Sequence, residues 1–287
     1  MALTHSILAM GYPLLRFRTT ITHVANIARP RLRVLMYHDI APEHESRFEA
    51  QLRWLQGSWD FLSPVKFASI IDGQEPLLAD SLMLSFDDGF ASNRTVAERI
   101  LAPMGIQALF FVVSDFVDLD DCKHARRFIV DRFFPGIPSG NVPARLSNMK
   151  WADLGALLEQ GHHIGAHTAT HARLAANTPV EVIEREVVAS ANTLENRLGY
   201  RIEHFAWPFG DLGSFSQQAF SIAARRFKYI HSGLRGDNSI NTSPLAIRRD
   251  AISVRDSNLM VGALLEGGAD FRYLKYGRVL DGWREEV

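Results

Sequence analysis

Two short stretches carry most of the side chains able to do chemistry. Leu84-Ser85-Phe86-Asp87-Asp88-Gly89-Phe90 sets two adjacent carboxylates and a glycine directly after an apolar run. His167-Thr168-Ala169-Thr170-His171 sets two imidazoles four residues apart. In a helical turn that spacing stacks both rings on one face, within reach of one metal ion. Neither stretch decides anything alone. Two aspartates can simply open a turn and cap the next helix. The 11 histidines among 287 residues produce a pair at this spacing by chance roughly 0.4 times. Together the stretches say more, because two histidines and one aspartate form a three-ligand set that leaves positions open for water and substrate, as in catalytic zinc sites. The second carboxylate then has a task as general base toward that water.

The elements around these residues are those of an α/β chain. Ser81 to Phe86 is an apolar run that reads as a buried strand, so the aspartates stand at the carboxyl end of a parallel strand, where α/β folds place their chemistry. A helical pattern follows from Ala91 to Met104. Arg31 to Tyr37 reads as a strand entering a core and ends in Tyr37-His38-Asp39-Ile40, which puts His38 at another strand end. Further strands are expected at Gln107 to Val113, into the histidine stretch from His162, and at Glu203 to Trp207, Lys228 to Ser232 and Leu245 to Arg249. Helices are expected at Phe48 to Leu55, Trp151 to Gln160, Thr178 to Leu198, Ser214 to Phe227 and Ser257 to Glu266. About seven strands separated mostly by helices predict a parallel sheet, open or closed into a barrel, in one domain. Residues 115 to 150, with Pro135, Pro138 and Pro143, read as an insertion able to form part of a substrate rim.

Composition narrows the class. A net charge of −1, with 47% hydrophobic and 22% charged residues, describes an ordinary globular enzyme and gives no reason to expect nucleic acid. The single cysteine, Cys122, cannot form an internal disulfide. No Gly-x-Ser-x-Gly elbow and no phosphate-cradling glycine loop is found. Residues 1–30 stand apart as a basic amphipathic segment ahead of a domain over 31–287. The first 33 residues hold five arginines and no Asp or Glu. The segment is too short and too interrupted to span a bilayer and makes a poor signal peptide. It is expected either to lie on an anionic membrane surface or to pack on the domain with a solvated arginine face. The expected location is the cytoplasm, with peripheral contact at the inner membrane face.

In combination, Ser85-Phe86-Asp87-Asp88-Gly89, His167-Thr168-Ala169-Thr170-His171 and Trp207-Pro208-Phe209-Gly210 resemble the motifs of the polysaccharide deacetylases, the NodB-homology domains of carbohydrate esterase family four. The resemblance covers about Val34 to Arg249. It implies a distorted (β/α)7 barrel and metal-dependent removal of N-acetyl groups from amino sugars of a polysaccharide or lipid-linked glycan, with Zn2+ or another divalent ion such as Co2+ or Ni2+ as cofactor. By motif, Asp87 resembles the general base, and Asp88, His167 and His171 the metal ligands. The backbone N–H of Phe209, where the family usually has tyrosine, resembles the oxyanion donor.

Two departures matter. The arginine that in many members orients the base, two residues before the motif proline, is Ala206 here. The late leucine-histidine motif that supplies the general acid in those members is not evident after Arg249. A subgroup acting on exopolysaccharides instead carries a histidine at the end of the first barrel strand, and Tyr37-His38-Asp39-Ile40 resembles that arrangement. His38 is therefore the expected acid and His231 the runner-up. Trp207 is expected to wall an apolar acetyl pocket, with Pro208 and His231 beside the substrate, whereas Arg248 and Asp250 are read as a solvated strand end. The activity points to exopolysaccharide or O-antigen biosynthesis. Alternatives are a deformylase of a lipid-linked formamido sugar, or a catalytically silent glycan-binding member of the fold.

Overall fold

The structure, a computed structural model, describes residues 9–17, 19, 29–239 and 242–284. Its frame is a parallel sheet of β1 (Leu32–Tyr37), β2 (Asp60–Phe61), β3 (Ser81–Phe86), β4 (Ala108–Val112), β5 (His163–Ala166), β6 (His204–Ala206), β7 (Tyr229–His231) and β8 (Asp250–Ala251). The strand order is β7-β6-β5-β4-β3-β1-β8, and the short β2 pairs with β3 off this path. Seven strands thus form the wall. Ile247 bridges His231 in parallel while Asp250 and Ala251 pair with Leu35 and Met36 of β1. The segment from 247 to 251 therefore ties β7 to β1 and curls the sheet into a distorted (β/α)7 barrel.

Every residue of β1, β3 and β4 is buried, as expected for parallel strands covered on both faces. Period-two alternation divides their side chains between two cores. Leu32, Val34, Met83, Leu109 and Phe111 join Ala206, Tyr229 and Ile247 in one cluster inside the barrel. Leu35, Tyr37, Leu82, Leu84, Phe86, Phe110 and Val112 join helix side chains such as Phe48, Leu154 and Leu194 in the larger cluster outside it.

The expected elements are found with shifted ends. Helices occupy Glu45–Gln56, Trp151–Glu159, Gln217–Arg226 and Asn258–Leu265. The helix after β3 runs from Ala91 to Val96 and continues as a wide turn through Leu101. The helix Val180–Glu184 likewise passes through a wide turn, Arg185–Ala189, into Ser190–Leu198, and Gly199 stops it in the left-handed region.

The last strand requires a correction. Leu245 to Arg249 is not a strand: Pro244–Ala246 is a 3-10 turn started by Ser243, whose hydroxyl accepts from the Leu245 N–H, and the strand proper is Asp250–Ala251. Nor is Asp250 solvated. It is fully buried in ion pairs with Arg33 (2.8 Å) and Arg235 (3.1 Å). Arg248 is half-buried beside Asp281. The insertion packs Phe116, Ala125, Ile129, Val142 and Leu146 against Phe90 and Val113 in a separate small core.

Of the N-terminal segment, residues 1–8 and 20–28 lie outside the described residues. Residues 9–17 form a helix that packs on the domain. Its Arg16 faces inward to Glu266 (3.2 Å) rather than out to solvent. Among the described residues, no helix is long and apolar enough to cross a membrane.

Candidate active site

The carboxyl ends of β1, β3, β5 and β6 bring the predicted residues to one mouth of the barrel. Asp87 and Asp88 follow β3, and His167 follows β5 with His171 four residues on. The histidines meet through a loop rather than a helical turn, with ring centroids 5.2 Å apart. Among the described residues, four non-glycine residues have positive φ, namely Asp88 (78°), Thr168 (64°), His171 (59°) and Phe209 (63°), and all belong to the three sequence motifs. Left-handed backbone at non-glycine residues is costly and persists where the surroundings impose it, typically at functional sites. Gly210 also has positive φ (72°), and a Cβ there would stand 2.5 Å from the Gly233 N, so only glycine fits against the β7 loop.

The ligating atoms of Asp88, His167 and His171 all lie within 4.8 Å of one another, and all three residues are buried. Asp88 Oδ1 is 3.6 Å from His167 Nε2 and 3.4 Å from His171 Nε2. Two ligands each about 2.1 Å from a tetrahedral ion stand about 3.4 Å apart, so the set is spaced for a cation at its centre. Asp88 Oδ1 is buried and has no hydrogen-bond partner among the described residues, a lack that an ion would satisfy. His167 Nδ1 donates to the Ala206 carbonyl (2.8 Å) and His171 Nδ1 to the Arg132 carbonyl (3.1 Å). These bonds fix the tautomer and aim both Nε2 lone pairs at the shared point. Burial pushes the His171 imidazole down to about 4, which keeps it neutral and able to ligate. Burial would push the Asp88 carboxyl up, but His167 and His171 outweigh it and hold it at about 2.

Asp87 takes no part in that set. Its carboxylate receives two hydrogen bonds from Arg249, Nη1 to Oδ1 at 2.6 Å and Nη2 to Oδ2 at 2.9 Å, and both side chains are buried. Burial would raise the Asp87 carboxyl, but Arg249 and then His167 hold it below the usual range. Arg249 is itself fixed by Nε–H donation to the Ser232 carbonyl (3.0 Å). The arginine missing at Ala206 is therefore supplied from the segment that closes the barrel.

His38 is exposed at the mouth, close enough for its charge to act on Asp87, Asp88 and His171. Three contacts from the helix after β3 and from the insertion hold its segment. Asn93 Nδ2 donates to the His38 carbonyl (2.8 Å), Ser92 Oγ donates to Asp39 Oδ1 (2.9 Å), and Arg145 forms a two-pronged pair with Asp39, one leg at 2.8 Å. Phe209 lies half-exposed between His171 (centroids 4.6 Å apart) and the Arg173 guanidinium (3.8 Å). Its N–H makes no hydrogen bond within the described residues. Phe133 of the insertion packs edge-on against His171 (4.8 Å), so the insertion does border the site.

The remaining candidates are buried side chains. His231 is fully buried inside the barrel, 3.0 Å from His204 and beside Phe111. Trp207 is 1% exposed and stacks on Phe215, while Pro208 is buried next to it. Two positioning residues went unread in the sequence. Arg249 is one, and its only signal is a charge at the end of an apolar segment. Glu186 is the other, 0% exposed. It accepts from the Thr170 N–H (2.8 Å) and hydroxyl (3.0 Å), pinning the loop between the two histidines. Its signal is an acid beside the apolar stripe of Ile183 and Val187, and the wide helical turn at 185–189 turns it inward.

Comparison with known proteins agrees with this geometry. The sequence profile of the polysaccharide deacetylase family matches residues 74–225, over half the chain. YxkH of Bacillus subtilis (strain 168) is 20% identical over 251 residues, covering 85% of this chain and 76% of that protein. Among solved structures, IcaB from Ammonifex degensii superposes with a TM-score of 0.67 at 21% identity, over 83% of this chain and 98% of its own. The Streptococcus pyogenes deacetylase PplD gives 0.63 at 20%, over 82% and 97%. The deacetylase domain of BpsB from Bordetella bronchiseptica gives 0.62 at 20%, over 78% and 98%. At these identities the solved structures establish the fold, and the profile establishes the relationship: the chain belongs to the polysaccharide deacetylase family.

Proposed function

We propose that the protein is a divalent-metal-dependent hydrolase that removes N-acetyl groups from amino sugars of a polysaccharide or lipid-linked glycan. The observation that carries this reading is the division of labour at the mouth. Asp88, His167 and His171 share a point suited to a cation, while Asp87 is held apart and ionised by Arg249. Zinc, or cobalt or nickel in its place, would be held by Asp88, His167 and His171 and would supply Lewis acidity and a water of lowered pKa. Asp87 takes the proton from the attacking water. The Phe209 N–H donates to the developing oxyanion. His38, at the solvent side, gives a proton to the departing amine. Phe133 and the Phe209 ring flank His171 and form the apolar side of the space for the acyl methyl.

A histidine after the first barrel strand and the likeness to the fold of IcaB and BpsB favour an exopolysaccharide-type substrate. The test is release of acid from N-acetylhexosamine oligomers and from N-formylated sugars, for the wild type and Asp87→Asn. Acetate release abolished by Asp87→Asn supports the reading. Formate release alone would make the protein a deformylase, and no turnover on any acylated glycan by the metal-loaded protein would make it a silent glycan binder.

A further inference from the structure

The helix at 9–17 carries apolar side chains on both faces. Inward, Ala9 packs on the core, and the Tyr12 ring meets Trp54 (centroids 5.8 Å apart) and sits so close over Gly262 that a Cβ there would clash with it at 2.4 Å. Arg16 and Thr19 close the lower end on Glu266, at 3.2 and 2.6 Å. Outward, Met10, Leu14 and Phe17 are 72%, 75% and 64% exposed. Their i, i+4, i+7 spacing makes them one row along the helix. A helix anchored so firmly by one face has no need of a second apolar face for folding, and three large side chains in a row exceed the scattered exposure normal for a surface.

We propose that this outer row is a docking face for a lipid bilayer, so that the enzyme works at a membrane surface. Two observations select lipid over a second copy of the chain. The row is three exposed side chains on one helix, far fewer than the roughly 20–30 residues a side, about 800 Å2 per partner, that a stable protein interface takes. A flat, deformable acyl–headgroup boundary accepts such a row without a groove. Charge also complements an anionic surface. No acidic residue precedes Asp39 in the sequence, Arg29 is exposed, and Glu266 beneath the helix is neutralised by Arg16 and Arg31. The arginine inside and apolar row outside mean that insertion of side chains binds the surface, with headgroup attraction second.

The test is flotation of the full chain with vesicles of phosphatidylcholine containing phosphatidylglycerol, for the wild type and the Met10→Ser, Leu14→Ser, Phe17→Ser triple variant. The wild type floats, and the triple variant loses at least about tenfold in partition while its melting temperature and its rate on a soluble N-acetylated sugar stay unchanged. Tyr12→Ala, which loosens the helix from the domain but keeps the outer row, retains vesicle binding. Wild type that stays in solution, a triple variant that floats equally, or a wild-type dimer by light scattering that the triple variant converts to monomer would each overturn the proposal.

Discussion

Replacing Arg249 by methionine isolates the part of the site that the sequence motifs do not contain. The substitution keeps the apolar stem and removes two charge-assisted hydrogen bonds, at 2.6 and 2.9 Å, to a carboxylate that is itself 2% exposed. A buried charge stripped of its partner costs about 3–5 kcal/mol. Arg249→Met should therefore destabilise the metal-free protein by an amount in that range, read as the shift in urea midpoint at constant slope. Without the guanidinium, burial is opposed chiefly by His167, so the Asp87 carboxyl rises, and the protonated form cannot accept the proton from water. Turnover at neutral pH should then fall by roughly 10²–10⁴-fold, the usual worth of a positioned general base. Arg249→Lys keeps the charge but loses the two-pronged fit, so it should recover part of the stability and part of the rate. The double variant Arg249→Met, Asp87→Asn removes both charges and should be more stable than Arg249→Met alone, giving a coupling of at least about 1 kcal/mol in the cycle. Wild-type turnover in Arg249→Met, or additive stabilities in the cycle, would refute the claim that Arg249 holds the base.

Other consequences concern neighbouring groups. Glu186→Ala leaves the Thr170 N–H and hydroxyl without their acceptor, so zinc affinity measured by chelator competition should fall about 10–100-fold, whereas Glu186→Gln keeps an acceptor and most of the affinity. His38 is exposed, and among the described residues its carbonyl, not its ring, is the group that is hydrogen-bonded. His38→Gln should leave the urea midpoint and zinc affinity unchanged while lowering turnover by about 10²–10³-fold. His162 is 2% exposed, its Nδ1 accepts the Ala108 N–H, and burial pushes it down to about 4. The unfolded chain takes up that proton near pH 6.5 and the folded one does not, so the stabilising contribution is present above pH 6.5 and lost as pH falls toward 4. That loss is on the order of 3 kcal/mol, visible in urea midpoints at stepped pH and diminished in His162→Gln.

The barrel was legible because its strands are signalled by composition alone. SLMLSF and ALFFV are unbroken apolar runs, and each is followed by a change of pattern that marks its end. Leu245 to Arg249 misled because apolar residues near Pro244 also suit a turn, and the pairing that defines β8 lies with β1, more than 200 residues earlier in the chain. The candidate residues Asp88, His167 and His171, which the structure brings together, were equally legible because they stand in local motifs. Arg249 and Glu186 were not, since each is one of several adjacent charges, Arg248-Arg249-Asp250 and Glu184-Arg185-Glu186, and tertiary packing alone chooses which one is buried against the site. The second support of His171 is a backbone carbonyl, that of Arg132, and no side-chain identity encodes it. His231 shows the reverse error: a histidine on a strand invites a chemical role, but its register directs it into the barrel among Phe67, Phe111 and His204.

The central claim is that Asp88 and the two histidines hold a metal while Asp87 handles a proton. Zinc titration of the metal-free chain, followed at each step by acetate release from an N-acetylhexosamine oligomer, tests it most directly. The account predicts that activity of the wild type rises to a plateau at one equivalent, that Asp87→Asn binds zinc as tightly without turning over, and that Asp88→Ala loses both. Acetate release that does not depend on metal, or an Asp87→Asn protein that fails to bind zinc while Asp88→Ala binds it, would contradict the account.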